Sequence, residues 1–218
     1  MATDKPASHH AAPRKRTLRI ARTEPAAAAI GPVTHGLEVF ILTHGQFSLM
    51  DALVYLSQQT GPADLTVSTW TAGNEDLEHL AHLLGGGEFR SVRFLVDRSF
   101  ITRQPAYCAT LRRLFGDGCI RTSRTHAKFC TVRNDTWSLA VRTSMNLNHN
   151  PRMENIEVSD DPALCDFLAG EVDRYFGTIG DGAFDGSLLE LPRPAVTAGN
   201  VTAKRLYPHQ NPPPVATP

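Results

Sequence analysis

The stretch LEVFILTHGQFSLMDALVYLSQQTGPADLTVSTW, residues 37–70, decides the architecture. It opens on a short apolar run, LEVFILT, of buried-strand type. Met50, Leu53 and Leu56 then recur at helical spacing, and Gly61 stops the helix. Ser48 followed by Asp51 is a capping-box pair that starts it. DLTVSTW (64–70) is a second β-branched run. Strand, helix and strand in this order predict a βαβ unit and a sheet with parallel strands.

The alternation continues. NEDLEHLAHLLGGG (74–87) places Leu77, Leu80, Ala81 and Leu84 on one helical face. SVRFLVD (91–97) is a third strand and QPAYCATLRRLFGDG (104–118) a third helix. The glycines at 85–87 end a helix and precede none, so they read as a C-terminal cap and not as a phosphate loop. Beyond Gly118 the strands crowd together as CIRTS, AKFCTV, TWSLAVRT and NIEVSD. A last helix lies in DDPALCDFLAGEVDRYF (160–176), capped by Asp160 or Asp161, with Pro162 in its first turn. Leu164, Phe167, Leu168, Val172 and Phe176 are its expected inward face. The fold class is therefore expected to be α/β, a mixed β-sheet flanked by helices in an α/β/α sandwich, with late strands adding antiparallel pairs to a parallel start.

The flanks differ in composition. Residues 1–34 hold Lys5, Arg14, Lys15, Arg16, Arg19 and Arg22 against Asp4 and Glu24, without helical or strand period, and read as a disordered basic N-terminal arm able to contact nucleic acid. Residues 187–218 are rich in proline and read as a disordered C-terminal tail. One domain, 35–186, lies between.

Over the whole chain of 218 residues, Lys and Arg together equal Asp and Glu at 22 each, so net charge excludes no class of partner. Cys108, Cys119, Cys130 and Cys165 are widely spaced in apolar segments, as reduced thiols of a cytoplasmic protein would be. No apolar run reaches the roughly 20 residues of a membrane-spanning helix. His79 and His82 read as a solvated helix face, and His44 as a loop residue beside a strand end.

The candidate site lies in THAKFCTVRNDTWSLAVRTSMNLNHNPRMENIEV, residues 125–158. On a strand, residues two apart share a face. His126 with Lys128, Ser144 with Asn146 and Asn148, and Asn155 with Glu157 would then be three polar rows on neighbouring strands. Such a set suits an anionic tetrahedral substrate: Lys and Asn donate to phosphate oxygens, a carboxylate holds a histidine in one tautomer, and the imidazole attacks phosphorus or carries a proton. The stretch has no carboxylate cluster suited to magnesium, so neither a metal nor another cofactor is expected.

These residues resemble the phospholipase D superfamily, whose signature is H-x-K-x(4)-D-x(6)-G-S-x-N followed by N-x-E. HAK at 126–128, SMN at 144–146 and NIE at 155–157 match in order, and the resemblance covers about residues 35–178. Arg133 and Thr143 stand where the signature has Asp and Gly. The interval from His126 to Ser144 is three residues longer than the signature, and RNDT at 133–136 is the turn expected to absorb the excess.

The resemblance implies a homodimer with two copies of His126 at one phosphate, gripped by Lys128 and Asn146 and joined by a hydrogen bond from Ser144. It implies Glu157 as the group that orients the histidine. Asn148, Asn155 and Arg142 are further candidates for substrate contact. The implied activity is a metal-independent phosphodiesterase, foremost a nuclease acting on DNA or RNA through a phosphohistidine. A catalytically silent nucleic-acid-binding member and a phospholipid-directed phosphodiesterase are the alternatives.

Overall fold

The computed structural model describes residues 15–179. The tail from 187 and the first part of the basic arm lie outside these residues.

Eight strands form one mixed sheet in the order β1-β2-β8-β7-β6-β3-β4-β5. They are β1 (Thr17–Ala21), β2 (Glu38–Thr43), β3 (Ala63–Thr69), β4 (Phe89–Asp97), β5 (Ile120–Ser123), β6 (Phe129–Arg133), β7 (Ser138–Thr143) and β8 (Glu154–Asp160). The helices are α1 (Ala26–Ile30), α2 (Leu49–Thr60), α3 (Asn74–Gly86), α4 (Phe100–Arg103), α5 (Pro105–Phe115) and α6 (Pro162–Thr178). The pairs β1–β2, β3–β4 and β4–β5 are parallel, and β2–β8, β8–β7, β7–β6 and β6–β3 are antiparallel. The α/β expectation holds, with one refinement: β5 extends the parallel set and does not begin the antiparallel one.

Strand alternation divides the core. Val39, Ile41, Val67, Phe94, Val96, Cys130, Val132, Val141, Ile156 and Val158 point to one face, where they meet α1, α2, α3 and α5. Leu95 and Phe129 point to the other and pack beneath Val172 of α6, with Leu168, Tyr175 and Phe176 at the edge. The inward stripe of α6 is Cys165, Ala169 and Val172. Phe167, expected inward, is 49% exposed. It lies two residues from Cys165, about 200° around the helix, so both cannot face the sheet.

Capping follows the sequence. Ser48 and Asp51 exchange both bonds of a capping box at α2, and Asp161 accepts from the Leu164 backbone N–H at α6. Gly87 closes α3 with φ +84, the left-handed conformation expected there. The four cysteines are free thiols, with Cys108, Cys130 and Cys165 buried and Cys119 half-buried. Burial pushes the Cys130 thiol up to about 12. Among the described residues no helix is long and apolar enough to cross a membrane.

The expected basic arm is corrected over part of its length. Residues 17–21 add β1 alongside β2, and 26–30 form α1. The guanidinium of Arg19 donates to the Ala29 carbonyl at 2.7 Å, binding strand to helix, while Arg16 donates to Glu38 at 2.6 Å. The edge strand escapes a periodicity search because its apolar residues, Leu18 and Ile20, are 73% and 58% exposed and its buried flank is Ala21.

Candidate active site

The site gathers at the rim of the sheet where β3 and β4 end and β6 and β8 begin. Carboxyl ends of parallel strands border clefts, because the chain turns away there and leaves loops to line the opening. His126 and Lys128 stand in the extended segment just before β6 and not within the strand. Two bonds pin that segment. Ser68 donates its hydroxyl to the Ala127 carbonyl at 3.0 Å, and the Thr143 N–H donates to the Lys128 carbonyl at 3.2 Å. The second bond keeps Lys128 in register with β7.

The Lys128 ammonium lies 2.9 Å from His126 Nδ1 and 3.1 Å from the His126 carbonyl. An ammonium has donors and no acceptor, so Nδ1 accepts in this contact. Partial burial holds the Lys128 ammonium below its ordinary pKa, and the negative charge of Glu154 acts in the opposite direction. The imidazole is exposed on the rim and leans on Trp70, with ring centroids 5.2 Å apart. Arg103 covers that indole at 3.6 Å and donates to the Trp70 carbonyl at 2.9 Å.

Residues 144–149 form a loop and not the strand row that their spacing implies, because β7 ends at Thr143. The loop is held by β3 and the turn beyond it: Leu147 N–H donates to Thr69 Oγ1 at 3.3 Å, and Gly73 N–H to the Leu147 carbonyl at 2.8 Å. Each candidate therefore finds its own neighbour. Asn146 Oδ1 is 3.5 Å from Thr69 Oγ1, one residue from the tryptophan that carries His126. Asn148 packs against Gly73, its side-chain oxygen buried. Ser144 Oγ accepts from Asn155 N–H at 2.9 Å and donates to the Glu154 carboxylate.

Asn155 and Glu157 do share a face of β8, as the alternation predicts. It is the face beneath α6, since Glu157 is in register with Arg142, and Arg142 with Phe129. Glu157 is buried and takes hydrogen bonds from Arg142 and, at 3.3 Å, from Arg16. The structure thus brings together His126 and Lys128, sets Asn146 against Thr69, and engages Glu157 and Arg142 with each other. Sequence reasoning passed over Trp70, Arg103 and Glu154. Trp70 carried a signal, as the residue directly after a strand in a parallel set; Arg103 carried none.

The departures from the H-x-K signature have physical accounts. The three additional residues lie in the β6–β7 turn, where Asn134 Oδ1 accepts from the N–H groups of Thr136 and Trp137 at 2.9 and 2.8 Å. Arg133 lies at the far end of β6 and pairs with Asp166 of α6. Thr143 needs no glycine-like backbone, since no residue other than glycine has positive φ among those described. Its hydroxyl bonds the Asn155 carbonyl at 2.6 Å.

No family model matches the chain, and no curated protein matches it. Several solved structures are similar to it. One is a phospholipase D family member, Nuc from Salmonella typhimurium, at 17% identity over 59% of this chain and 86% of that one, with a TM-score of 0.44. Another is phosphatidylserine synthase from Haemophilus influenzae Rd KW20, at 18% identity and a TM-score of 0.44, over 64% of this chain and 37% of that one. Neither likeness bears on what the side chains of this chain do.

Proposed function

We propose that the chain is a phosphodiesterase that cleaves DNA or RNA with its own nitrogen groups and without a metal ion, in a site completed by a second copy of the chain. The observation that carries this reading is the contact of the His126 imidazole with the Lys128 ammonium on an exposed rim. An anionic phosphate placed there meets a cation for its oxygens and an imidazole to attack its phosphorus or protonate its leaving group.

In the proposed reaction a nitrogen of one His126 attacks phosphorus. The bond from phosphorus to the leaving oxygen breaks, and that oxygen takes a proton from the His126 of the second copy. Water then attacks the phosphohistidine, gives its proton to the second histidine, and the phosphorus–nitrogen bond breaks. Lys128 as donor to Nδ1 leaves the hydrogen of a neutral imidazole on Nε2; the acid is the His126 of the second copy as an imidazolium, with hydrogen on both nitrogens and its Nδ1 released from Lys128. The attacking copy needs the other tautomer, reached when the phosphate draws the ammonium from Nδ1 to its own oxygens. Asn146, whose side-chain oxygen meets Thr69, is in this reading a further donor to the same phosphate.

A second reading has an observation in its favour. Glu157 is engaged by Arg142 and Arg16, and Nδ1 of His126 by Lys128, so a silent protein that binds nucleic acid through this rim fits the same geometry. Incubation of single- and double-stranded DNA, RNA and phosphatidylcholine vesicles with the full chain in EDTA separates the readings. The nuclease reading expects cleaved nucleic acid, intact lipid and loss of cleavage in Lys128→Ala. Binding without cleavage supports the silent reading, and cleaved lipid alone supports a lipid-directed enzyme.

A further inference from the structure

Glu154 and Glu157 are three residues apart on β8, so a strand directs them to opposite faces of the sheet. Glu157 goes to the α6 face, where Arg142 and Arg16 hold it. Glu154 goes to the face of Ile156 and Val158. Lys128 is on that same face, because it precedes Phe129, which points to α6, and because its carbonyl continues the β6–β7 ladder through Thr143. Thr143 is in turn the register partner of Ile156, two residues from Glu154.

The geometry points to Glu154, and not Glu157, as the carboxylate of this site: oriented by Ser144, it positions the Lys128 ammonium against His126. This rests on the reading of His126 and Lys128 as the pair that handles phosphate. Three observations converge on it. The Ser144 hydroxyl donates to the Glu154 carboxylate, and that hydroxyl is itself fixed by Asn155 N–H at 2.9 Å, so the carboxylate is aimed. Its charge acts on Lys128, opposing the effect of partial burial. The backbone beside it cannot slip, since Ser144 N–H donates to the Asn155 carbonyl at 3.1 Å.

Glu154 is a positioning residue in this account. It touches neither phosphate nor leaving group, and it acts by keeping the ammonium charged and in place. Ser144, assigned to substrate by the resemblance, is assigned to Glu154 by its bonds. Beyond them, Arg103 of α4 lies over Trp70, and Asp76 of α3 accepts from the His149 N–H.

The chain has four lysines, Lys5, Lys15, Lys128 and Lys204, so a protein labelled with ε-¹³C lysine gives a spectrum in which Lys128 is assigned by its disappearance in Lys128→Arg. The midpoint of Lys128 is read by pH titration in wild type, Glu154→Gln, Glu154→Asp and Glu157→Gln, each verified as folded by its amide spectrum. Loss of the negative charge in Glu154→Gln is expected to move the midpoint to lower pH, Glu154→Asp to move it back toward wild type, and Glu157→Gln to leave it in place. The alkaline limb of phosphodiester hydrolysis should follow the same order. An unmoved midpoint in Glu154→Gln, or a shift produced by Glu157→Gln instead, overturns the assignment. Absent hydrolysis in wild type with the midpoint shift intact would overturn the phosphodiesterase reading alone.

Discussion

Glu154 and Glu157 leave the same strand on opposite faces of the sheet, one bonded by Ser144 at the rim and the other held by Arg142 and Arg16 beneath. On the proposed assignment, the first serves the site and the second the fabric of the fold. Substitutions at each should therefore fail in different ways.

The Glu157 network predicts coupling. Its carboxylate is buried while Arg142 and Arg16 are both about half exposed, at 46% of their side chains. Arg142→Ala should cost about 1 kcal/mol, because Arg16 remains as a partner. Adding Arg16→Ala should cost more than the sum of the two single changes, because the carboxylate is then left buried without a partner. Urea denaturation of the three variants measures both, read from midpoints at constant m-value.

Asn134 organises the β6–β7 turn and also donates to the carbonyls of Thr60 and Pro62 at 3.0 and 3.2 Å. Asn134→Ala removes the acceptor of two backbone N–H groups and the donor to two carbonyls, so it should lower stability by about 2 kcal/mol. Thermal unfolding followed by circular dichroism checks it, with a drop in Tm as the expected result.

Gly45 has φ +86, and a methyl group there would meet the Pro151 backbone at 2.5 Å. Gly45→Ala should force the loop after β2 away from the loop before β8, at a cost of about 2 kcal/mol or more. Amide hydrogen exchange should rise at residues 44–48 and 150–154 ahead of the rest of the chain. Unchanged exchange in both loops would contradict the contact.

The thiols differ in reach. Burial holds Cys108 and Cys165 at about 11 and Cys130 at about 12, and Cys119 is half-buried. Ellman's reagent at pH 8 should react promptly with Cys119 and slowly with the other three in the native protein, then with all four once denatured. Mass mapping of the modified peptides identifies the order.

Most elements were legible because their apolar residues keep one period throughout: Met50, Leu53 and Leu56 along α2, Leu65 and Val67 along β3, Phe94 and Val96 along β4. The start of α2 at Ser48 and the turn at Asn134 were legible from local hydrogen-bonding chemistry. Edge strand β1 was not, because Leu18 and Ile20 face outward and the strand lies among arginines. The site was legible in part. His126 and Lys128 meet as their spacing predicts, although they stand before the strand and not on it. The row of Ser144, Asn146 and Asn148 dissolves because Thr69 and Gly73, distant in sequence, capture the loop. Alternation correctly pairs Asn155 with Glu157, but which face they take depends on β7 and α6. No local pattern encodes that, and it is the ground on which Glu154 is proposed as the carboxylate of the site.

The central claim is that His126 performs phosphodiester chemistry without metal, and hydrolysis of bis(p-nitrophenyl) phosphate in excess EDTA tests it most directly. The account predicts turnover by the wild-type chain and a loss of about a thousandfold or more in His126→Ala, with thermal unfolding unchanged because the imidazole is exposed. Equal hydrolysis by wild type and His126→Ala in EDTA would contradict it.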